Sequence, residues 1–289
     1  MHAGGTTYIR HGSKRDVFRL WYLSDIHWMS AACAEDRVRR DIQAIADDPF
    51  SFWIGGGDYA DFISHQDKRF DPDAVSERVS VRDLARLGMV AYEQVRDLFR
   101  PIAGQCLGLV EGNHERKYSL AMEQRDRHGW LCQELGAANL GYSALIDLAF
   151  VRAANTRIPR IISAEERSSL RQSHCETFRI WCHHGAGYAM TKGGKINRLS
   201  AFMNAIDADI YMMGHVHDQT GTRESVIAAD RTCTKLIERQ RLGIISGSYL
   251  KTYSQGVTTY AEQRGYRPTT LGAAWVTIRP DTREIEGRI

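Results

Sequence analysis

Five short motifs hold most of the residues in this chain that could do chemistry. They are Asp25-Ile26-His27, Gly57-Asp58, Gly112-Asn113-His114-Glu115, His183-His184-Gly185 and Gly214-His215-Val216-His217. Imidazole nitrogens mixed with carboxylate and amide oxygens suit manganese, iron or zinc better than calcium or magnesium. A lone Asp-x-His or His-His is common in unrelated chains and carries little information. The recurrence is what informs, because each motif follows directly on a short apolar run.

Those runs read as buried strands. Phe18–Leu23 stops at Asp25, and the runs 50–54, 106–110, 178–181 and 209–213 stop at the other four motifs. In open α/β sheets ligands bind beyond the carboxyl ends of the strands. All five tips are therefore expected on one face, although nearly two hundred residues separate Asp25 from His217. In extended backbone, side chains two residues apart point the same way. Asp25 with His27, and His215 with His217, are each expected to address one site together. Apolar residues at helical spacing predict helices over 34–46, 80–99, 119–135 and 195–206. Late strands are expected at 244–252, 269–278 and 284–289. The order is α/β alternation followed by a β-rich end, in a single domain over 1–289 with a basic excursion at about 152–176.

The ordered set D-x-H, G-D, G-N-H-E, H-H and G-H-x-H resembles the calcineurin-like metallophosphoesterase superfamily, across about two thirds of the chain. The resemblance implies a four-layer α/β/β/α sandwich that holds two divalent ions per chain, with manganese favoured over iron, zinc or cobalt. Carried over by position, the first ion takes Asp25, His27, His217 and a bridging Asp58. The second shares Asp58 and adds Asn113, His183 and His215. In the His-His pair the resemblance puts the ligand at His183, with His184 behind it. His114 matches the family's catalytic histidine beside the leaving group. The reaction so implied is hydrolysis of a phosphodiester by a hydroxide that bridges the metals, in a nuclease or nucleotide phosphodiesterase. The alternatives are a phosphomonoesterase on the same scaffold and, remotely, a non-catalytic binding protein. Two cations, Asp25, Asp58 and a hydroxide leave a charge of about +1, which attracts phosphate.

Departures from the family narrow the substrate. The protein serine/threonine phosphatases follow the bridging aspartate with Asp-Arg-Gly, but here Asp58 is followed by Tyr59-Ala60-Asp61-Phe62. The purple acid phosphatases place a tyrosine ligand where this chain has Asp61. The stretches 57–61 with 67–72, and 247–253, resemble phage and prophage members described as DNA repair exonuclease-like. Arg69, Tyr249, Lys251 and Tyr253 are then candidates for phosphate contacts and base stacking.

Composition sets the outer bounds. With 43% hydrophobic and 25% charged residues, the chain is neither disordered nor fibrous nor a disulfide-stapled miniprotein. Residues 145–289 carry 20 Lys/Arg against 14 Asp/Glu, and the span from Arg152 to Arg198 alone nets +6. That span, ending in Lys192 and Lys195 of Thr191-Lys192-Gly193-Gly194-Lys195, is a candidate rim for DNA or RNA. Six cysteines lack any CxxC pair and are expected as free, buried thiols. With no apolar leader and no membrane-length apolar run, a cytoplasmic protein without a membrane partner is expected.

Overall fold

The computed structural model describes residues 1–61, 76, 80, 83–118, 126–170, 173–187, 189–230, 232–256 and 258–289. Two sheets pack face to face. The first contains β2 (Phe18–Leu23), β3 (Ser51–Gly55), β4 (Cys106–Leu109), β11 (Ala274–Arg279) and β12 (Glu284–Arg288), in the order β12-β11-β2-β3-β4. The second contains β1 (His2–His11), β5 (Ser143–Arg152), β6 (Arg160–Ile162), β7 (His174–His183), β8 (Ile210–Met213), β9 (Thr220–Ala229) and β10 (Leu236–Ile245). Its order is β6-β1-β5-β7-β8-β10-β9.

Burial explains the arrangement. Strands β2, β3 and β4 are near-continuous apolar runs because they are covered on both faces. Inward, Leu20, Tyr22, Phe52 and Ile54 meet Ile146, Phe150, Ile180, Met212 and Ile244 of the other sheet. Outward, Trp21, Leu23 and Trp53 pack under α1 (Glu35–Ala46), α2 (Leu87–Phe99) and α4 (Arg127–Leu135). Helix α1 presents Val38, Ile42 and Ile45 at helical spacing. On the far side Trp181, Tyr211 and Met213 pack under Leu199 and Met203 of α6 (Lys192–Ala205). The result is the four-layer α/β/β/α sandwich. Two short helices, α3 (Asn113–Tyr118) and α5 (Ala164–Ser169), sit in connections, and α7 (Tyr260–Gln263) in the last loop. Among the described residues no helix is long and apolar enough to cross a membrane.

Several expectations change. The run at 244–252 is not a strand beyond Ile245. There the Ser246 and Ser248 hydroxyls donate to the Tyr22 and Asp25 carbonyls, which turns the chain toward the first sheet. The helix expected over 80–99 begins as a 3-10 turn at Asp83–Arg86, and only Arg127–Leu135 of 119–135 is described as helix. The segment 152–176, expected as an excursion, carries a strand and a helix of its own. Its β6 pairs antiparallel with β1 at the sheet edge, and Ser163 caps α5. The cysteines are free, as expected, but Cys175 is half-buried and Cys233 exposed.

The charge-rich span is spread along the sheet rather than gathered at the motif end. Strand β5 runs antiparallel to β7, pairing Ser143 with His183 at the motif end and Arg152 with His174 at the other. Nine residues of strand put Arg152 roughly 30 Å from the motif end. Several of the span's cations meet acids, some inside it and some contributed elsewhere in the fold. Arg152 pairs with Asp281, Arg160 with Glu166 at 2.6 Å, and Arg179 with Asp147 at 2.8 Å. A count within one segment could not see Asp147 of β5 or Asp281 of the last turn.

Candidate metal centre

Strands β2, β3, β4, β7 and β8 end at one edge of the sandwich, and their tips supply the candidate site. Asp25 and His27 follow β2, Asp58 follows β3, Asn113 and His114 open α3 after β4, His184 follows β7, and His215 and His217 follow β8. Their side-chain atoms gather in three groups whose members lie within 4.8 Å of one another: Asp25 with His27 and His217, Asp58 with His184 and His215, and His27 with Asp61 and His114.

In the first group His217 Nε2 lies 3.2 Å from Asp25 Oδ1 and 3.3 Å from His27 Nε2. In the second, His184 Nε2 lies 3.4 Å from Asp58 Oδ2, 3.3 Å from His215 Nδ1 and 3.0 Å from Asn113 Oδ1. Asp25 has its Oδ2 taken by the His215 N–H at 2.8 Å, whereas its Oδ1 is buried with no hydrogen-bond donor. An orphaned carboxylate oxygen facing two imidazole nitrogens is what a divalent cation would satisfy. The residues present therefore fit a metal.

His184, not His183, faces this cluster. Strand β7 continues to His183, two residues beyond the apolar run read from sequence, so the alternation assigns the pair differently. Trp181 and His183 point outward onto Phe202 of α6, with ring centroids 5.4 Å apart for His183 and Phe202. His183 Nδ1 accepts from the Gly185 N–H at 2.7 Å. His184 is fully buried, and its Nδ1 donates to the Gly56 carbonyl at 2.8 Å. With Nδ1 so fixed, Nε2 faces the other ligand-type atoms and would offer its lone pair to a cation that displaces its proton, the arrangement expected of a metal-binding imidazole.

The pairs also converge by a different backbone from the extended one expected. Asp25, His27, Asp58, His215 and His217 all have positive φ, between 48° and 70°. The Asp25 and His27 N–H groups donate to the carbonyls of Gly57 and Asp58, at 2.9 and 3.0 Å, which ties the β2 tip to the β3 tip. Glu115 does the same for β4. Its fully buried carboxylate accepts from the N–H groups of Asp58, Tyr59 and Gly112 at 2.9, 2.7 and 2.9 Å. Gly112 is required there, since a Cβ would stand 2.2 Å from the Asp58 nitrogen.

Asp61 is the functional-type residue that spacing alone did not single out. Its Oδ1 lies 3.2 Å from His114 Nδ1 and 3.9 Å from His27 Nδ1. The signal was its place three residues after Asp58, read only as a missing tyrosine. Burial opposes a charge on His114, but Asp58 and Asp61 outweigh it and raise its pKa to about 9. Burial likewise opposes charge on Asp61, yet His114 and His27 hold its carboxyl well below the usual range. His184 is lifted to about 10 against its burial by Asp58 and Asp25, whereas burial and the His184 charge bring His215 down to about 4.

The substrate candidates fare unevenly. Tyr249 is fully buried with its hydroxyl on Asp41 at 2.9 Å, so it stacks on no base. Lys195 is buried and paired with Asp218 at 3.2 Å, and is no surface cation. Lys192 and Tyr253 are exposed, with Tyr253 donating to the Tyr266 carbonyl, and Lys251 is half-buried. Arg69 lies outside the described residues.

The fold class is thus a two-sheet sandwich flanked by helices. No family model matches the chain, and no curated protein does. Solved structures similar to it include a metallophosphoesterase from Sphaerobacter thermophilus, 13% identical with a TM-score of 0.37, covering 93% of this chain and 87% of its own. A conserved uncharacterized protein of Streptococcus pneumoniae TIGR4, described as a predicted phosphoesterase, is 12% identical at 0.32, covering 91% and 84%. The NAD nucleotidase of Haemophilus influenzae is 8% identical at 0.40, and 95% of this chain spans 49% of that one. At these identities and scores the likeness says nothing of chemistry.

Proposed function

We propose that this chain is a metal-dependent phosphoesterase that hydrolyses phosphodiesters. One observation carries the reading: two groups of ligand-type atoms, Asp25/His27/His217 and Asp58/His184/His215, gathered from both sheets beside the orphaned Asp25 Oδ1. With Asn113 completing the second group and Asp58 between the two, they would hold two divalent ions, manganese first by the mixed nitrogen and oxygen donors. Such ions polarise phosphoryl oxygens and bring the pKa of water toward neutrality.

The chain's own residues do the rest. Asp61 fixes the His114 ring through Nδ1 and keeps it cationic. The Nε2 proton is then available to the departing oxygen, as general acid catalysis requires. Charge favours a diester. Against +4 from two ions stand Asp25, Asp58 and Asp61, with His114 adding one positive charge, for a net +2. A diester and an attacking hydroxide neutralise this, whereas a monoester dianion overshoots it. The 152–198 span supports a nuclease reading less than its charge count suggests, because Arg152, Arg160, Arg179 and Lys195 are paired with acids.

Hydrolysis of a chromogenic diester beside its monoester, by stripped protein reloaded with manganese, zinc, cobalt or magnesium, tests the reading. Metal-dependent cleavage of the diester is expected. Efficient turnover of the monoester alone would replace it with the phosphatase, and no turnover of either in any metal would overturn it.

A further inference from the structure

We propose that the buried Lys195–Asp218 ion pair is a positioning latch that sets His217 in the first ligand group, an inference that rests on the functional reading above. Lysine is almost never buried unless it is paired. Lys195 and Asp218 are each less than a tenth exposed, and Lys195 Nζ lies 3.2 Å from Asp218 Oδ2. One turn earlier on α6, Lys192 Nζ lies 3.3 Å from the Gln219 carbonyl and 3.8 Å from Asp218 Oδ1. The first turn of α6, itself capped by Thr191, thus grips the two residues that follow His217.

His217 needs such a grip. Its φ of 48° lies in a region that histidine does not favour, and surrounding contacts must hold it there. His215 is fixed directly, through its N–H on Asp25 Oδ2. His217 is fixed from behind, through Asp218. The two lysines that charge counting offers to a polyanion instead shape the loop that carries a metal ligand. Lys195 touches neither substrate nor metal and acts through His217.

The test is a calorimetric manganese titration of the stripped full-length chain with Lys195→Met, Asp218→Asn and Lys195→Arg, folding being checked by circular dichroism. Loss of an outer partner typically weakens metal binding about 10–100-fold. That loss is expected at one of the two sites in Lys195→Met, with the other unchanged and Lys195→Arg near wild type. Wild-type binding at both sites, or an equal loss at both, overturns the latch. If Lys195→Met does not fold, Asp218→Asn decides by the same criteria. If the wild type takes up no divalent ion, the functional reading fails by itself. Amide exchange at Val216 and His217 then decides the latch, which is overturned if neither Lys195→Met nor Asp218→Asn speeds it.

Discussion

Asp61→Asn tests how His114 is kept charged. The amide retains an oxygen 3.2 Å from His114 Nδ1 but removes the negative charge. The raised His114 pKa, about 9 against 6.5 for the free imidazole, is the joint work of Asp58 and Asp61 against burial. That rise of about 2.5 units is worth about 3.4 kcal/mol. If Asp61 supplies somewhat over half, its loss returns the ring to a pKa of about 7.5, a change of about 2 kcal/mol. Bound ions would draw on Asp58 and leave Asp61 the larger share. In the metal-free protein the acid form at pH 8 then falls from about nine tenths to about a quarter of the molecules, and at pH 9 from about half to a few per cent. Bound cations move both curves to lower pH. The assay is kcat against pH for a diester with an alkyl leaving group, beside one with nitrophenolate. The alkaline limb should move down by about one to two units for the alkyl substrate and hardly at all for the other, which needs no proton. His114→Ala sets the floor, about 10²–10⁴-fold below wild type on the alkyl substrate. An alkaline limb that stays in place, or one that moves equally for both substrates, refutes the argument.

Three further outcomes are expected. His184→Ala should lose one of two ions outright, while His183→Ala keeps both, as elemental analysis of dialysed protein would reveal; the reverse pattern denies the assignment. Glu115→Ala leaves three buried N–H groups unpaired at about 1–3 kcal/mol each, comparable with the whole stability of a domain. It should fail to fold, and a variant with wild-type Tm would refute the clasp. For stripped protein, His215, depressed to about 4, adds stability as pH rises from there to 6.5. His114 and His184, raised to about 9 and 10, contribute stability that is full below 6.5 and lost as pH climbs through those values. Urea melts should peak near pH 6.5, and a maximum above pH 9 would contradict both shifts.

The motifs were legible because chemistry confined them to strand tips, and an apolar run ending in Asp or His is visible in sequence. Strands covered on both faces, such as Phe18–Leu23, declared themselves by their composition. What stayed hidden depended on distant partners. Strand β9, with alternating half-buried and exposed residues, becomes a strand only through its pairing with β10. The choice between His183 and His184 turned on where β7 ends, and strand ends are set by neighbours rather than by local propensity. Tyr249 looked like a stacking residue because its Asp41 partner lies 208 positions away.

The left-handed backbone at Asp25, His27, Asp58, His215 and His217 has a consequence for anyone improving this protein. Each such residue costs about 1–3 kcal/mol unless its surroundings compensate, and glycine would relieve most of that. Selection for heat tolerance alone will therefore drift toward glycine at His27, His215 and His217, whereas Asp25 and Asp58 also hold the His215 and His114 N–H groups. Its winners would be sturdier molecules stripped of their donors, so any thermostability screen on this scaffold should hold those three codons fixed.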